Sequence, residues 1–536
     1  MKSFGVIAVA LFLVALRFYD TVFFEPATLD AVRWIAKSSF DNPDLWEWIG
    51  KTNHFRVGYR PVTALVFLFS DLFSERVLVL RLIALSLCVG TIVVSAFLIK
   101  ALLKESFGES SSILDSLCVV FLLGLHPVLD EIVPFLARLN YLLSGFFGVS
   151  ALFLLVTSLD GKSERSAFWL LVRGLGGALL FVLSFLSNEA GITFVCAGFL
   201  FLIAARGWKV RTIRERAMIF LPSVVFVVWA IGIRQAVIGG VGGYGEGGIV
   251  LGKISLILSR LGHSLLNTRD AWWSEWLAAL SGLLLIAVPF AIWTQKPSRA
   301  SRDGRAFALW FLSVCCLFSI FGVWFPRQLF FVVIPFALLL VSMWRISSDV
   351  NRTFRIAVRV FLVAIVGLSY REVLLGYPSR VSFVTRASAF SKGVKDFRKG
   401  LESSSREAEI VPVLWWCESE RSELSVPKQE SLSSFPRAAR APYEWLQYLS
   451  RRKGRKLAFA QYVECGRDLS ARDFIVEEGR ILLVGGPVRK MMTLNRLKVY
   501  PEGAPLLEQR AEGSESSLIF VQTGAGWKWI DSSSLH

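Results

Sequence analysis

Residues 79–103 read VLRLIALSLCVGTIVVSAFLIKALL, an apolar stretch interrupted by only two charges, Arg81 and Lys100. A helix of about 20 apolar residues matches the hydrocarbon thickness of a bilayer. Similar stretches recur over the first 371 residues, and the whole chain is 54% hydrophobic with a mean hydropathy of +0.54. A soluble protein of 536 residues could not bury so much apolar surface. The sequence therefore predicts a multi-span α-helical membrane protein.

Basic residues cluster in the short connections between apolar stretches, which indicates how the spans are oriented. Connections rich in Lys and Arg remain on the cytoplasmic side of a membrane. The net charge of +17 is therefore read as an orientation signal, and nucleic acid is not expected as a partner. This reading gives about 11 spans with the N-terminus inside and the C-terminus outside. The predicted spans are 4–19, 79–103, 113–126, 139–159, 167–186, 190–205, 217–235, 276–294, 306–325, 328–344 and 356–371.

Residues 1–371 form the predicted transmembrane domain, with outer loops at 20–78 and 236–275. The apolar piece Val62–Phe73 is too short to cross and predicts a re-entrant or interfacial helix. Residues 372–536 are polar and predict a small extracytoplasmic α+β domain. Cys417 and Cys465 of this tail could form a disulfide outside the cell. Its predicted helices are 388–402 and 440–452, and its predicted strands are Ile410–Trp416, Leu457–Val463, Arg480–Val484 and Ser517–Gln522.

Acidic residues directly follow three of the predicted spans: Asp20, the pair Asp130-Glu131, and Glu189. Carboxylates in or beside a bilayer are costly and usually face a cavity or a partner. The topology places all of them at the outer face. Arginines accompany them there, and arginine is a bidentate donor to phosphate groups, so a lipid phosphate could bind at this face. The arginines are Arg60, Arg138, Arg234 and Arg327.

Four motifs surround these charges. The first is Phe18-Tyr19-Asp20, in which Asp20 is either a helix-end residue or a general base for an attacking hydroxyl. The others are HFRVGYRPVT at 54–63, HPVLDEIV at 126–133 followed by Arg138-Leu139-Asn140, and LSNEAGIT at 186–193.

Together the motifs resemble those of the GT-C superfamily of integral-membrane glycosyltransferases. The likeness is greatest to the branch of the protein O-mannosyltransferases and the transmembrane/tetratricopeptide O-mannosyltransferases, although no such repeats are present here. That branch has an acidic motif after the first span and a Tyr-Arg-Pro-Leu-Thr element in the first outer loop. It also has His-Pro-x-x-x-Glu and Ser-Lys-Glu turns, and Arg327-Gln328-Leu329-Phe330 resembles its Arg-Tyr-x-Tyr turn.

The resemblance implies transfer of a sugar from a polyprenyl-phosphate donor to an acceptor hydroxyl of a protein or glycan at the extracytoplasmic face. Asp20 takes the position of the general base, and Glu131 that of a supporting or metal-binding carboxylate. Arg60, Arg138, Arg234 and Arg327 become candidates for binding the donor phosphate. The supporting residues are His54, Tyr59, His126, Asp130, Asn140, Asn188 and Glu189. The expected location is a bacterial inner membrane.

Two departures from the family pattern keep other functions open. Thr21 follows Asp20 where a second carboxylate is common, and Asn188 replaces the lysine of the Ser-Lys-Glu turn. A catalytically degenerate assembly or binding protein is one alternative, and a transporter of a lipid-linked or anionic solute is another. No cofactor is certain. A divalent cation is compatible with the carboxylates, but the histidines lack ligand spacing.

Overall fold

The structure, a computed structural model, describes most of the membrane part and a smaller share of the tail. The described residues of the first part are 2–25, 29–50, 59–107, 111–130, 132–158, 167–201, 213–238, 299–320, 328–349, 351–374 and 378–403, with single positions between 280 and 294. In the tail they are 409–416, 445–450, 452–453, 461–464, 474–477, 480–483, 489–492, 497–500, 517–523 and 526–531.

The apolar stretches form helices at the predicted positions. The described positions of the predicted span 276–294 are also helical. The helices of the membrane part are α1 (Lys2–Phe18), α2 (Leu29–Lys37), α3 (Leu45–Gly50), α4 (Pro61–Ser70), α5 (Arg76–Phe107), α6 (Ser111–Gly124), α7 (Leu139–Ser158), α8 (Ala167–Ser187), α9 (Ile192–Phe201), α10 (Ile213–Ile238), α11 (Arg299–Ile320), α12 (Leu329–Ile346) and α13 (Arg352–Leu374).

Six helices within the described residues are long and apolar enough to cross a membrane. They fall in Phe4–Phe23, Arg76–Leu103, Leu136–Ser158, Ala167–Ser187, Phe220–Val237 and Leu329–Ile346. Several of them expose large apolar side chains, as α10 does with Leu221, Val225 and Trp229. An exposed apolar stripe along a helix suits contact with lipid. In contrast, 89% of the residues of Leu329–Ile346 are buried, so this helix packs against the rest of the protein on nearly all sides.

Contacts between helix ends show that α7 runs antiparallel to α8 and that α12 runs antiparallel to α6. Ser144, near the start of α7, hydrogen-bonds Ser184, near the end of α8, with 3.1 Å between the hydroxyl oxygens. At the opposite end of the bundle, Arg345 near the end of α12 donates to Asp115 near the start of α6, at 2.6 Å. We call the end that contains Ser144 and Ser184 the outer end. Helix α6 ends there because a short connection joins it to the start of α7, and α1 ends beside it because Arg17 donates to the Gly124 carbonyl.

The predicted interfacial piece forms α4, which lies against α5 and α8. Pro61 begins this helix, as suits a residue without a backbone N–H. Thr63, Ala64 and Phe67 are buried. The Thr63 hydroxyl donates to the Ser187 carbonyl at 3.3 Å. These contacts attach the start of α4 to the end of α8 and so place Arg60, the residue before α4, beside the end of α8.

The chain forms two compact units, Met1–Val22 with Ser38–Pro378, and Phe23–Lys37 with Ser379–His536. The second unit therefore contains a segment of the first predicted outer loop together with the tail. Glu25 of that segment accepts a hydrogen bond from Arg398 at 3.0 Å, and its backbone N–H donates to the Ser391 hydroxyl at 2.8 Å. These contacts hold the segment after α1 against residues 391–398 within the second unit.

The tail contains α14 (Pro378–Ser403) and eight described strands. Six strands form one sheet in the order β6-β5-β2-β1-β7-β8, in which β1 runs parallel to both β2 and β7. Strands β3 and β4 form a separate antiparallel pair. Helix and strand thus both occur in the tail, as predicted, while the domain division at 371 stays a prediction. The strands are β1 (Glu409–Trp416), β2 (Gln461–Glu464), β3 (Phe474–Glu477), β4 (Arg480–Leu483), β5 (Arg489–Met492), β6 (Leu497–Tyr500), β7 (Ser517–Thr523) and β8 (Gly526–Asp531).

Candidate functional site

Two of the arginines singled out in the sequence meet on Glu189 at the outer end. Arg60 donates to both carboxylate oxygens, from Nη2 at 2.8 Å and from Nε at 3.3 Å. Arg234, near the end of α10, donates to the same carboxylate from Nη2 at 3.3 Å. Arg60 is 5% exposed and Arg234 is fully buried. We call these three residues the arginine pair site. Its two guanidinium groups and one carboxylate carry one unit of excess positive charge.

A rigid turn holds Glu189 in this position. Glu189–Gly191 form a 3-10 turn between α8 and α9, and the Asn188 side chain caps it by accepting the Ala190 N–H at 3.0 Å. A Cβ atom on Gly191 would lie 2.6 Å from the Ser184 Oγ and 2.7 Å from the Ser184 carbonyl carbon. Such distances exclude a side chain, so the turn packs against α8 with backbone alone. The backbone of the turn that carries Glu189 is therefore packed closely on α8.

Arg234 has fewer partners than its burial demands. Its Nη1 reaches the Phe185 carbonyl at 3.4 Å, and its guanidinium carbon lies 4.9 Å from the centre of the Phe185 ring. Its Nε is buried and has no hydrogen-bond partner among the described residues. A buried donor left unsatisfied costs about 1–3 kcal/mol, and more when the group is charged. The described part of the protein therefore leaves this buried donor unsatisfied.

Tyr59 lies close enough to Arg234 to sense its charge. Burial raises the pKa of the Tyr59 phenol above its usual value, and Arg234 opposes this rise. The phenol therefore remains protonated at neutral pH and can donate a hydrogen bond. Tyr59 and Arg60, adjacent in the 54–63 motif, thus both belong to the surroundings of Arg234.

A second charged cluster ties α1 to the turn after α6. Arg17 donates to both oxygens of Asp130, from Nη2 at 2.5 Å and from Nε at 3.3 Å. Its Nη1 donates to the Gly124 carbonyl at 2.8 Å. All three nitrogens are therefore used, and both side chains are only 7% exposed. Sequence reasoning did not include Arg17 in the site. Its signal was a charge at the end of an apolar stretch, three residues before Asp20.

Asp20 lies just beyond α1, in the 3-10 turn Tyr19–Phe23. Its Oδ1 atom is buried and has no hydrogen-bond partner among the described residues. The neighbouring Thr21 carries no charge, and its hydroxyl donates to the Phe18 carbonyl at 2.7 Å. Asp20 therefore differs from Asp130 and Glu189, whose carboxylates are each held by arginine. A carboxylate oxygen without a partner can accept a proton.

Three of the predicted supporting residues are buried polar groups with unused hydrogen-bonding capacity. His126 Nδ1 accepts the Val128 N–H at 3.2 Å, which leaves the proton on Nε2, and this atom is unpaired among the described residues. Nδ2 and Oδ1 of Asn140 and Nδ2 of Asn188 are likewise buried and have no hydrogen-bond partner among the described residues. In antiparallel α7 and α8, Asn140 and Asn188 lie one helical turn outward from Ser144 and Ser184. Buried polar groups of this kind bind water or a ligand.

The remaining site residues divide into one that is described and three that are not. Arg138 lies over the Phe135 ring, with its guanidinium carbon 4.3 Å from the ring centre. His54, Glu131 and Arg327 lie outside the described residues, as do Cys417 and Cys465. Within the described part of the chain, no three His, Cys, Asp or Glu side chains group closely enough to hold a metal ion. Because Glu131 lies outside the described residues, the compatibility of the carboxylates with a divalent cation stays an expectation from the sequence.

The chain is a multi-pass membrane protein, as its apolar helices with their exposed stripes indicate. No family model matches the sequence, and no curated protein matches it either. Among solved structures it is similar to the archaeal oligosaccharyltransferase AglB of Archaeoglobus fulgidus in complex with an inhibitory peptide and a dolichol-phosphate. The identity is 12%, the TM-score is 0.39, and 94% of this chain and 76% of that chain are covered.

Two further structures of the Archaeoglobus fulgidus oligosaccharyltransferase show the same level of similarity. The complex with Zn and sulfate has a TM-score of 0.40 and 12% identity, covering 93% of this chain and 75% of that chain. The form tethered with an acceptor peptide containing the NVT sequon has a TM-score of 0.38 and 12% identity. The match covers 94% of this chain and 76% of that chain. Similarity at this level assigns neither a family nor an activity.

Proposed function

We propose that this protein is a membrane glycosyltransferase that moves a sugar from a polyprenyl-phosphate donor to an acceptor hydroxyl at the extracytoplasmic face. The observation that supports it most is the arginine pair site. Arg234 is fully buried, has an unused Nε donor, and lies with Arg60 on a single carboxylate. Burying excess positive charge is costly unless an anion completes the site. A lipid phosphate delivered from the adjacent bilayer is such an anion.

In the proposed reaction the arginines act on the leaving group. When the sugar–oxygen bond breaks, negative charge grows on the departing phosphate oxygens. Arg60 and Arg234 stabilise that charge, and they do so strongly because both are shielded from water. Arg138 and Arg327 are proposed as further phosphate contacts. The role of the arginines is thus to make the lipid phosphate a better leaving group.

Asp20 is the proposed general base. Its Oδ1 has no partner among the described residues. This carboxylate would accept the proton of the acceptor hydroxyl while the hydroxyl oxygen attacks the sugar carbon. Asp130 is unsuited to that role because Arg17 occupies both of its oxygens. Glu131 is proposed as a supporting carboxylate. The acceptor is a protein or a glycan, and the proposed location is a bacterial inner membrane with the tail outside.

The experiment that tests this proposal replaces Asp20 by asparagine in the full-length protein. Radiolabelled polyprenyl-phosphate mannose, glucose and galactose serve as donors in membranes that contain the protein. Loss of a general base lowers a rate by about 10²–10⁴-fold. Asp44→Asn is the matched control, because Asp44 is exposed. Full transfer by Asp20→Asn, with thermal unfolding unchanged, would remove Asp20 as the base.

A binding or assembly protein without catalysis is the second candidate function. The residues that depart from the family pattern favour it, since both serve the local structure. Thr21 bonds to Phe18, and Asn188 caps the turn that carries Glu189. This candidate predicts binding of a polyprenyl phosphate with no sugar transfer from any of the three donors. The transporter reading has less support, because the arginine pair site lies at helix ends rather than on broken helices near the midplane.

A further inference from the structure

Glu189 places a fixed negative charge inside the proposed phosphate site. It accepts three hydrogen bonds from the two arginines, at 2.8, 3.3 and 3.3 Å. The close packing of Gly191 on Ser184 prevents the turn that carries Glu189 from moving toward α8. A ligand therefore binds in the presence of this carboxylate, and its charge must suit two guanidinium groups and one carboxylate together.

Charge balance separates two classes of lipid-linked ligand. A phosphodiester carries one negative charge and neutralises the excess charge of the three residues. A diphosphate diester carries two negative charges, so its second phosphate would face the Glu189 carboxylate without a compensating cation from this site. Like charges that lie a few ångströms apart at a buried site repel each other, since the protein interior screens them less than water does. Repulsion of this kind is a common source of selectivity.

We infer that Glu189 is a specificity-determining residue that makes the arginine pair site select phosphodiester-linked lipids over diphosphate-linked lipids. This inference rests on the proposed function, because it assumes that Arg60 and Arg234 bind the lipid phosphate. The structure favours it over a purely structural role for one reason. Glu189 balances only one of the two guanidinium charges, and Arg234 Nε remains unpaired among the described residues, so the three residues together still have capacity for one further negative charge.

The test measures equilibrium binding to the full-length protein in phosphatidylcholine nanodiscs. The two probes are methyl farnesyl phosphate, a phosphodiester, and the terminal methyl ester of farnesyl diphosphate. They carry one and two negative charges and contain no sugar, so the unknown sugar does not enter. The wild-type protein is expected to bind the phosphodiester at least about tenfold more tightly.

Two substitutions separate charge from packing at this position. Glu189→Gln removes the charge and is expected to reduce the preference to about twofold or to reverse it. Glu189→Asp keeps the charge and is expected to keep the preference. An equal change in both affinities in Glu189→Gln would overturn the inference and leave Glu189 as a structural residue.

If Glu189→Gln does not fold, the affinities of the wild-type protein for the two probes still test the selectivity. Equal affinity for the two probes overturns the selectivity. If Asp20→Asn still abolishes transfer in that case, the proposed function stands without the inference. Binding of neither probe by the wild-type protein overturns both.

Discussion

Arg17 and Arg234 are both buried arginines at the outer end of the bundle, yet they are used differently. Arg17 commits all three nitrogens, two to Asp130 and one to the Gly124 carbonyl, at distances from 2.5 to 3.3 Å. Arg234 makes two long contacts, of 3.3 and 3.4 Å, and leaves Nε without a partner among the described residues. Arg17 has one carboxylate to itself, whereas Arg234 shares Glu189 with Arg60.

The use of the guanidinium donors distinguishes a structural ion pair from a binding site. A buried arginine that satisfies its donors within the protein links two elements, here α1 and the turn after α6. A buried arginine with an unused donor and a shared counter-ion has capacity for an anion. Both clusters involve residues of the sequence motifs, so the motifs alone do not distinguish them.

The largest effect is expected on stability, from Arg17→Leu. The substitution leaves the buried Asp130 carboxylate without its arginine, and breaking a buried pair in this way costs about 3–5 kcal/mol. The measurement is the free energy of unfolding in detergent. The double variant Arg17→Leu/Asp130→Leu should recover more than half of the loss, because no unpaired charge remains. A double variant as unstable as the single one would show that Arg17 acts in some other way.

Arg234→Gln is expected to affect transfer more than stability. The phosphate loses one buried donor, which lowers the rate about 100-fold or more. Glu189 keeps both hydrogen bonds from Arg60, so the free energy of unfolding should fall less than in Arg17→Leu. Arg345→Gln is the matched control, since Arg345 pairs with Asp115 at the opposite end of the bundle. Equal loss of transfer in the two variants would contradict a specific role for Arg234.

The smallest effect is expected from Gly191→Ala. The new Cβ would overlap the backbone of Ser184, and overpacking of this kind costs about 1–3 kcal/mol. It would also displace Glu189 and so reduce transfer together with stability. Gly367→Ala in α13 is the control, because nothing lies within 4 Å of a Cβ at that position. Thermal unfolding and transfer rates measure both effects, and identical behaviour of the two variants would argue against a rigid turn.

The sequence predicted the helices well because their signal is local. Long apolar stretches predicted the spans. Basic connections on the cytoplasmic side, with successive spans alternating in direction, predicted that Arg60, Glu189 and Arg234 lie at one end of the bundle. The sequence could not show which charges pair. Arg60 and Glu189 are 129 residues apart, and Arg17 and Asp130 are 113 apart. The carboxylates Asp20, Asp130 and Glu189 therefore looked equivalent, whereas the structure gives each different partners.

The tail was less predictable because its elements are short. Strands such as Phe474–Glu477, Arg489–Met492 and Leu497–Tyr500 have four residues each, too few to show a clear alternation of apolar and polar positions. The grouping of Phe23–Lys37 with the tail was also not predicted. That grouping depends on contacts such as Glu25 with Arg398, which join residues distant in the chain.

The most direct test of the central claim is a cryo-EM structure of the full-length protein with a non-transferable phosphonate analogue of a polyprenyl-phosphate sugar. We predict that the phosphonate group lies within hydrogen-bond distance of Arg60 and Arg234, with Arg17 still paired to Asp130 as it is now. A phosphonate bound elsewhere, or bound to Arg17 with Arg234 unchanged, would contradict the account.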